Sequence, residues 1–193
     1  SFSHPDPQLT IEMGIPNACT NCHNTQSDEW ALRYTDEWYG PDMNADRRAK
    51  ARLLNDLFAD TSGTGARLVA ALQTEKNRFW KATFTSMLRY LPPDAATGDL
   101  LRELVADPEP MVRSAAVRTI GLDSLDPAMQ EDLLTDEFRM VRLSATLASP
   151  DLQVAGPEDE AELEAYLRHT ADSPVGALRY GAYLHSRGQT EAA

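Results

Sequence analysis

Cys19 and Cys22 are the only two cysteines of the chain. They stand three apart, and His23 follows directly. Two thiols at this spacing can each add to one vinyl group of a haem, because the two intervening residues let one turn of chain span both positions. The histidine that follows is then held beneath the ring as the proximal iron ligand. This is the spacing of c-type haem attachment. Three other chemistries use a similar pair. A thioredoxin-like redox couple needs a strand–helix–strand setting, and no strand pattern surrounds these residues. A zinc site asks for four ligands, usually from two spaced pairs, but the chain has no second cysteine pair and its other histidines, His4, His169 and His185, are scattered. A plain disulfide leaves His23 without a role. One covalently attached haem c, bound through Cys19 and Cys22 with His23 as iron ligand, uses all three residues, with disulfide and zinc as the alternatives.

A sixth iron ligand has to come from elsewhere. His4 is the one histidine upstream of the motif and is the candidate distal ligand, against the plainer reading of an exposed loop histidine. Met13 is a rival, although a methionine in an apolar row is more often packing. His169 and His185 fall near the ends of helical segments, where a positive charge is favourable, and read as surface residues.

The elements that must position the motif differ on its two sides. Over residues 1–18, Pro5, Pro7 and Pro16 argue against regular helix. Leu9, Ile11, Met13 and Ile15 alternate with polar or small residues, a weak strand-like period. An extended arm lying over a haem edge is expected there. Residues 27–39 read as a helix, with Ser27 as N-cap, Asp28 and Glu29 at its positive end and Gly40-Pro41 as the stop. Trp30, Ala31, Tyr34 and Trp38 share one face of it, as a platform for a porphyrin or as an aromatic core stripe.

From residue 44 onward amphipathic segments follow one another at 45–58, 64–73, 77–91, 97–106, 110–120, 127–134, 138–148, 158–170 and 174–187, separated by proline and glycine breakers. They repeat. An acid stands six residues before a base in Glu75 and Lys81, Asp107 and Arg113, and Asp136 and Arg142, and seven before it in Asp172 and Arg179. The apolar residue ahead of each base is Trp80, Val112, Val141 or Leu178, at steps of 32, 29 and 37 residues. Periods of this size mean stacked helical hairpins that share one core. The acids are expected to cap the second helix of each hairpin, and the bases to pair with acids of neighbouring units. Two regions are therefore expected: residues 1–43 as the haem attachment segment, and 44–193 as the repeat region.

Asp107, Val112, Arg113, Ala116 and Gly121 keep the spacing of a HEAT repeat, which this stretch resembles; Asp136 to Ala148 resembles it too, without the glycine. The stretch from Ile15 to His23, followed by Ser27 to Ala31 and Trp38 to Gly40, is similar to the last haem-binding segment of bacterial multihaem cytochromes c that end in a helical-repeat domain. The resemblance implies an all-α fold, a HEAT-like helical-hairpin solenoid with an N-terminal extended haem-c-binding segment. It also implies that further haem motifs lie upstream in a longer protein.

The composition fits a globular chain, with 42% apolar and 25% charged residues. A net charge of −12 argues against nucleic acid and anionic membranes as partners, and no apolar run reaches the length of a membrane span. The chain begins at Ser1 without a signal peptide, as expected of a processed chain or a piece of a longer one. Haem c attachment places the expected location in the periplasm or outside the cell. Electron transfer is the expected function, with redox proteins or other cytochrome segments as partners. The alternatives are a haem enzyme or sensor with an open distal site, and a protein-docking array.

Overall fold

The computed structural model describes residues 6–59 and 63–189. Among them are twelve α-helices, two short 3-10 turns and no strand, so the fold is all-α. The chain divides into two compact units, one running to Leu68 and the other starting at Val69.

In the first unit, α1 (Pro7–Met13) precedes a short α2 (Ala18–Cys22), then α3 (Asp28–Tyr39) and α4 (Ala45–Phe58). Over residues 7–13, α1 corrects the extended arm expected for 1–18; residues 1–5 of that arm lie outside the described residues. Pro7 occupies the first helical position, where a missing N–H costs nothing and the fixed φ suits the helix. Gly14 closes the helix at φ 69°, its N–H donating to Thr10 O at 2.8 Å. The apparent alternation does not sort the residues by burial, since Leu9 is buried while Ile11 and Ile15 are exposed. α1 packs against α3 and α4, and α2 packs against α3. Ion pairs fasten α1 to α4. Arg48 makes a two-oxygen contact with the buried Asp6 at 2.9 and 3.1 Å, and Arg52 does the same with Glu12 at 2.8 and 2.7 Å. The helix expected at 27–39 is α3, with Ser27 Oγ accepting the Trp30 N–H at 3.2 Å and Gly40 ending it.

The division between units falls inside α5 (Thr64–Thr74). The second unit continues with α6 (Arg78–Met87), α7 (Ala95–Leu104), α8 (Pro110–Ile120), α9 (Pro127–Leu134), α10 (Arg139–Leu147), α11 (Pro157–Thr170) and α12 (Pro174–Ser186), close to the expected segments. α6 packs on α8 and α8 on α10, while α7 lies against α8, α9 against α10, and α11 against α12. Phe84, Val112, Val117, Leu122 and Val141 are fully enclosed. Around α11 and α12, Leu163, Leu167, Tyr183 and Leu184 form a buried cluster.

The spaced acids and bases interlock from helix to helix. Lys81 pairs with Asp107, Arg113 grips both carboxylate oxygens of Asp136 at 2.8 and 2.9 Å, and Arg142 reaches Asp159 at 3.1 Å and Glu162 at 2.8 Å. Arg113 and Arg142 also donate back to the carbonyls of their own loops, Asp107 O and Asp136 O, at 2.9 Å each. Two details depart from expectation. Asp107 and Asp136 accept the N–H of the residues just before their helices, Glu109 and Phe138, and not an N–H of the helix itself. The fourth unit is out of register: Leu178 is 74% exposed, and Ser173, not Asp172, caps α12 by accepting the Gly176 N–H. The longer step of 37 residues places Leu178 on the outer face of α12, and Tyr183 and Leu184 face inward in its place.

Candidate functional site

The motif is carried by a helix of only five residues, α2. Asn17 starts it. Its Oδ1 accepts the Thr20 N–H at 3.1 Å, and its amide donates to Thr10 Oγ1 and to Asp28 Oδ1, both at 2.9 Å. Thr20 Oγ1 donates to the same Asp28 oxygen at 3.0 Å. This buried asparagine therefore ties α1, α2 and the start of α3 into one hydrogen-bonded knot. Sequence reading passed it over. The signal was present, since asparagine two residues before a cysteine and three before Thr20 is a normal N-cap.

One turn of helix brings Cys19, Cys22 and His23 to the same side, with His23 N–H donating to Cys19 O at 2.8 Å. Cys19 is half-buried and Cys22 exposed, and both are free thiols. Next to them lies a concave groove of about 230 Å³, lined by Ala18, Cys19, Cys22 and His23 from α2 and by Trp30, Ala31, Tyr34, Thr35 and Trp38 from α3. The aromatic face foreseen on α3 thus opens onto the motif. The His23 and Trp30 rings lie 5.2 Å apart, Trp30 and Tyr34 5.1 Å, and Tyr34 and Trp38 5.7 Å, within the range of favourable ring contacts. Trp38 is 65% exposed. Ala31 and Thr35 are the buried members of the face, and Thr35 Oγ1 donates back to Ala31 O at 3.0 Å, leaving no free hydroxyl hydrogen at the floor.

These residues fit a haem edge. The groove offers two thiols, an exposed imidazole and flat apolar walls. It is smaller than the roughly 300–1,000 Å³ of pockets that enclose a ligand, so this unit would cover part of a ring. Among the described residues no group of three or more His, Cys, Asp and Glu is placed to hold a metal ion. A haem iron makes no such demand, because the porphyrin supplies four of its ligands.

His4 lies outside the described residues. Met13 ends α1 and is half-buried. His169 and His185 are exposed on the last turns of α11 and α12, in the second unit. No helix of the described residues is long and apolar enough to cross a membrane.

The chain matches no known protein family, and searches of curated proteins and of solved structures find no similar protein.

Proposed function

We propose that this chain is an electron-transfer segment carrying one covalent haem c. The observation that carries the reading is the placement of Cys19, Cys22 and His23 on one helical turn beside the groove of Trp30, Ala31, Tyr34, Thr35 and Trp38. The haem, when bound, supplies a one-electron Fe(III)/Fe(II) couple. Cys19 and Cys22 would fix it by thioether bonds, His23 would give the proximal nitrogen, and the apolar walls on α3 would exclude water from one side. Asn17 and Asp28 hold the turn that carries all three residues. Among the described residues the groove is lined by Tyr34 and Thr35 as its hydroxyls and by no carboxylate, an apolar setting suited to an electron-transfer haem. His4 is proposed as the distal ligand, making the iron six-coordinate and low-spin.

The second unit is proposed as a HEAT-like helical-hairpin solenoid, on the repeat of the acid–base pairs across α6, α8 and α10. The chain is further proposed to belong to a multihaem cytochrome of the bacterial periplasm or cell exterior, exchanging electrons with redox proteins or neighbouring haem segments.

The test is denaturing mass spectrometry of the chain made in a host with haem-attachment machinery. The expected mass exceeds that of the polypeptide by one haem, and Cys19→Ser with Cys22→Ser abolishes the increment. A bare polypeptide mass, or haem lost on acid extraction, overturns the reading. Rapid binding of carbon monoxide by the reduced protein would replace electron transfer with the enzyme or sensor alternative.

A further inference from the structure

A second groove, of about 400 Å³, runs across α6, α8 and α10. Phe79, Met111 and Met140 line it, each the second residue of its helix and each directly ahead of Trp80, Val112 or Val141 in the inner row. The repeat that sends one residue inward at each step thus leaves an apolar neighbour outside. Phe79 is 56% and Met140 42% exposed. A contiguous open row of apolar side chains is the usual mark of a contact surface.

The charge of this groove is opposite to that of the chain. The protein has 30 carboxylates against 18 lysines and arginines, yet no residue lining the groove is acidic, and two, Arg89 and Arg118, are cationic. Neither makes an ion pair among the described residues, and Arg89 donates only to Ser86 O, at 2.7 Å. The other bases of α6, α8 and α10, namely Arg78, Lys81, Arg113, Arg139 and Arg142, all pair with carboxylates. The planar guanidinium matches a carboxylate with two parallel hydrogen bonds. Methionine and phenylalanine accept apolar side chains of varied shape. A nucleic acid backbone would extend beyond two arginines into a surface of net negative charge, whereas a short segment with one or two acids would not.

We propose that this groove docks a short peptide segment of a partner protein. The segment carries apolar side chains beside one or two carboxylates. The apolar groups seat among Phe79, Met111 and Met140, and the carboxylates pair with Arg89 and Arg118. The site is independent of the haem reading, and the haem assays do not bear on it.

The experiment is a selection of random twelve-residue (about 12) peptides displayed on phage against the full chain, followed by fluorescence anisotropy of the enriched peptides in dye-labelled form. The expected peptides combine leucine, methionine or aromatic residues with aspartate or glutamate. They bind the Arg89→Glu, Arg118→Glu double variant at least about tenfold more weakly. Because both arginines are exposed, that variant keeps the melting curve of the parent chain. Phe79→Ser weakens binding without removing its dependence on salt. The proposal is overturned by a selection that enriches nothing, by peptides that are basic or lack carboxylates, by equal binding to the charge-reversed variant, or by displacement of the peptides by a single-stranded oligonucleotide.

Discussion

At the scale of single residues, Asn17 decides how well the motif is held. It is 5% exposed and satisfies three partners on three helices. Asn17→Ala leaves Asp28 and Thr10 short of a donor and α2 without its cap, and is expected to cost about 1–3 kcal/mol. A melting curve unchanged from the parent would contradict this. Glu12 gives a pH signature. Its bonds to Arg52, and then to Gln8, hold the carboxyl at about 2, against a usual value of 4.5. A folded-state value below the unfolded one means that the contribution is present above about 4.5 and is lost as pH falls towards 2. The pair is largely exposed, so the contribution is small. The stability difference between the parent and Glu12→Gln, read from urea unfolding, should shrink to nothing across that window; a constant difference would mean that the pair has no role. Cys19, Cys22 and His23 stood out in the sequence because their spacing is that of a known attachment pattern. The Asp6–Arg48 and Glu12–Arg52 pairs were not, because they join residues 42 and 40 positions apart and no local pattern marks such partners.

At the scale of elements, the helices of the second unit follow their apolar period closely, since burial on a shared core reinforces local propensity at every step. α1 was misread because a proline was taken as a barrier where it is a start. α12 was placed correctly, but its register was not: the acid–base spacing had slipped by one residue, and one residue turns a helix face by about 100°. The inner row offers a direct check. Val112 is fully enclosed, so Val112→Asp buries an unpaired charge and should destabilise by about 3 kcal/mol or more. A parent-like denaturation midpoint would show Val112 to be dispensable. The two glycines of α12 should part company. A Cβ at Gly176 would stand 1.7 Å from Thr170 O, whereas one at Gly181 would meet nothing within 4 Å. Gly176→Ala should therefore lower the melting temperature, and Gly181→Ala should raise stability by about 0.5–1 kcal/mol through helix propensity. Scanning calorimetry of the two variants decides between this assignment and one in which both glycines are equivalent.

At the scale of the whole molecule, 30 acids against 18 bases leave an excess of negative charge, while the described cations are largely spent on internal pairs. The all-α class was legible from the apolar period. The aromatic groove beside Cys19 was legible in part, from the spacing of Trp30, Tyr34 and Trp38, whereas the row of Phe79, Met111 and Met140 was hidden because each residue reads as one more apolar position of its helix. If haem is bound, electron paramagnetic resonance of the oxidised protein should give a low-spin signal, and His4→Ala should convert it to high-spin; an unchanged signal would assign the distal position to another group. The chain of ion pairs also has a direction. Three bases reach forward along the chain, from Lys81 to Asp107, from Arg113 to Asp136, and from Arg142 to Asp159 and Glu162. Trimming the protein is therefore not symmetric. Loss of α6 from the front takes one partner from Asp107, which still accepts the Glu109 N–H. Loss of α11 from the back takes two acidic partners from Arg142, which keeps only carbonyls of its own loop. Fragments shortened from the rear are therefore expected to unfold at lower urea concentration than fragments shortened from the front, with α11 as the clasp.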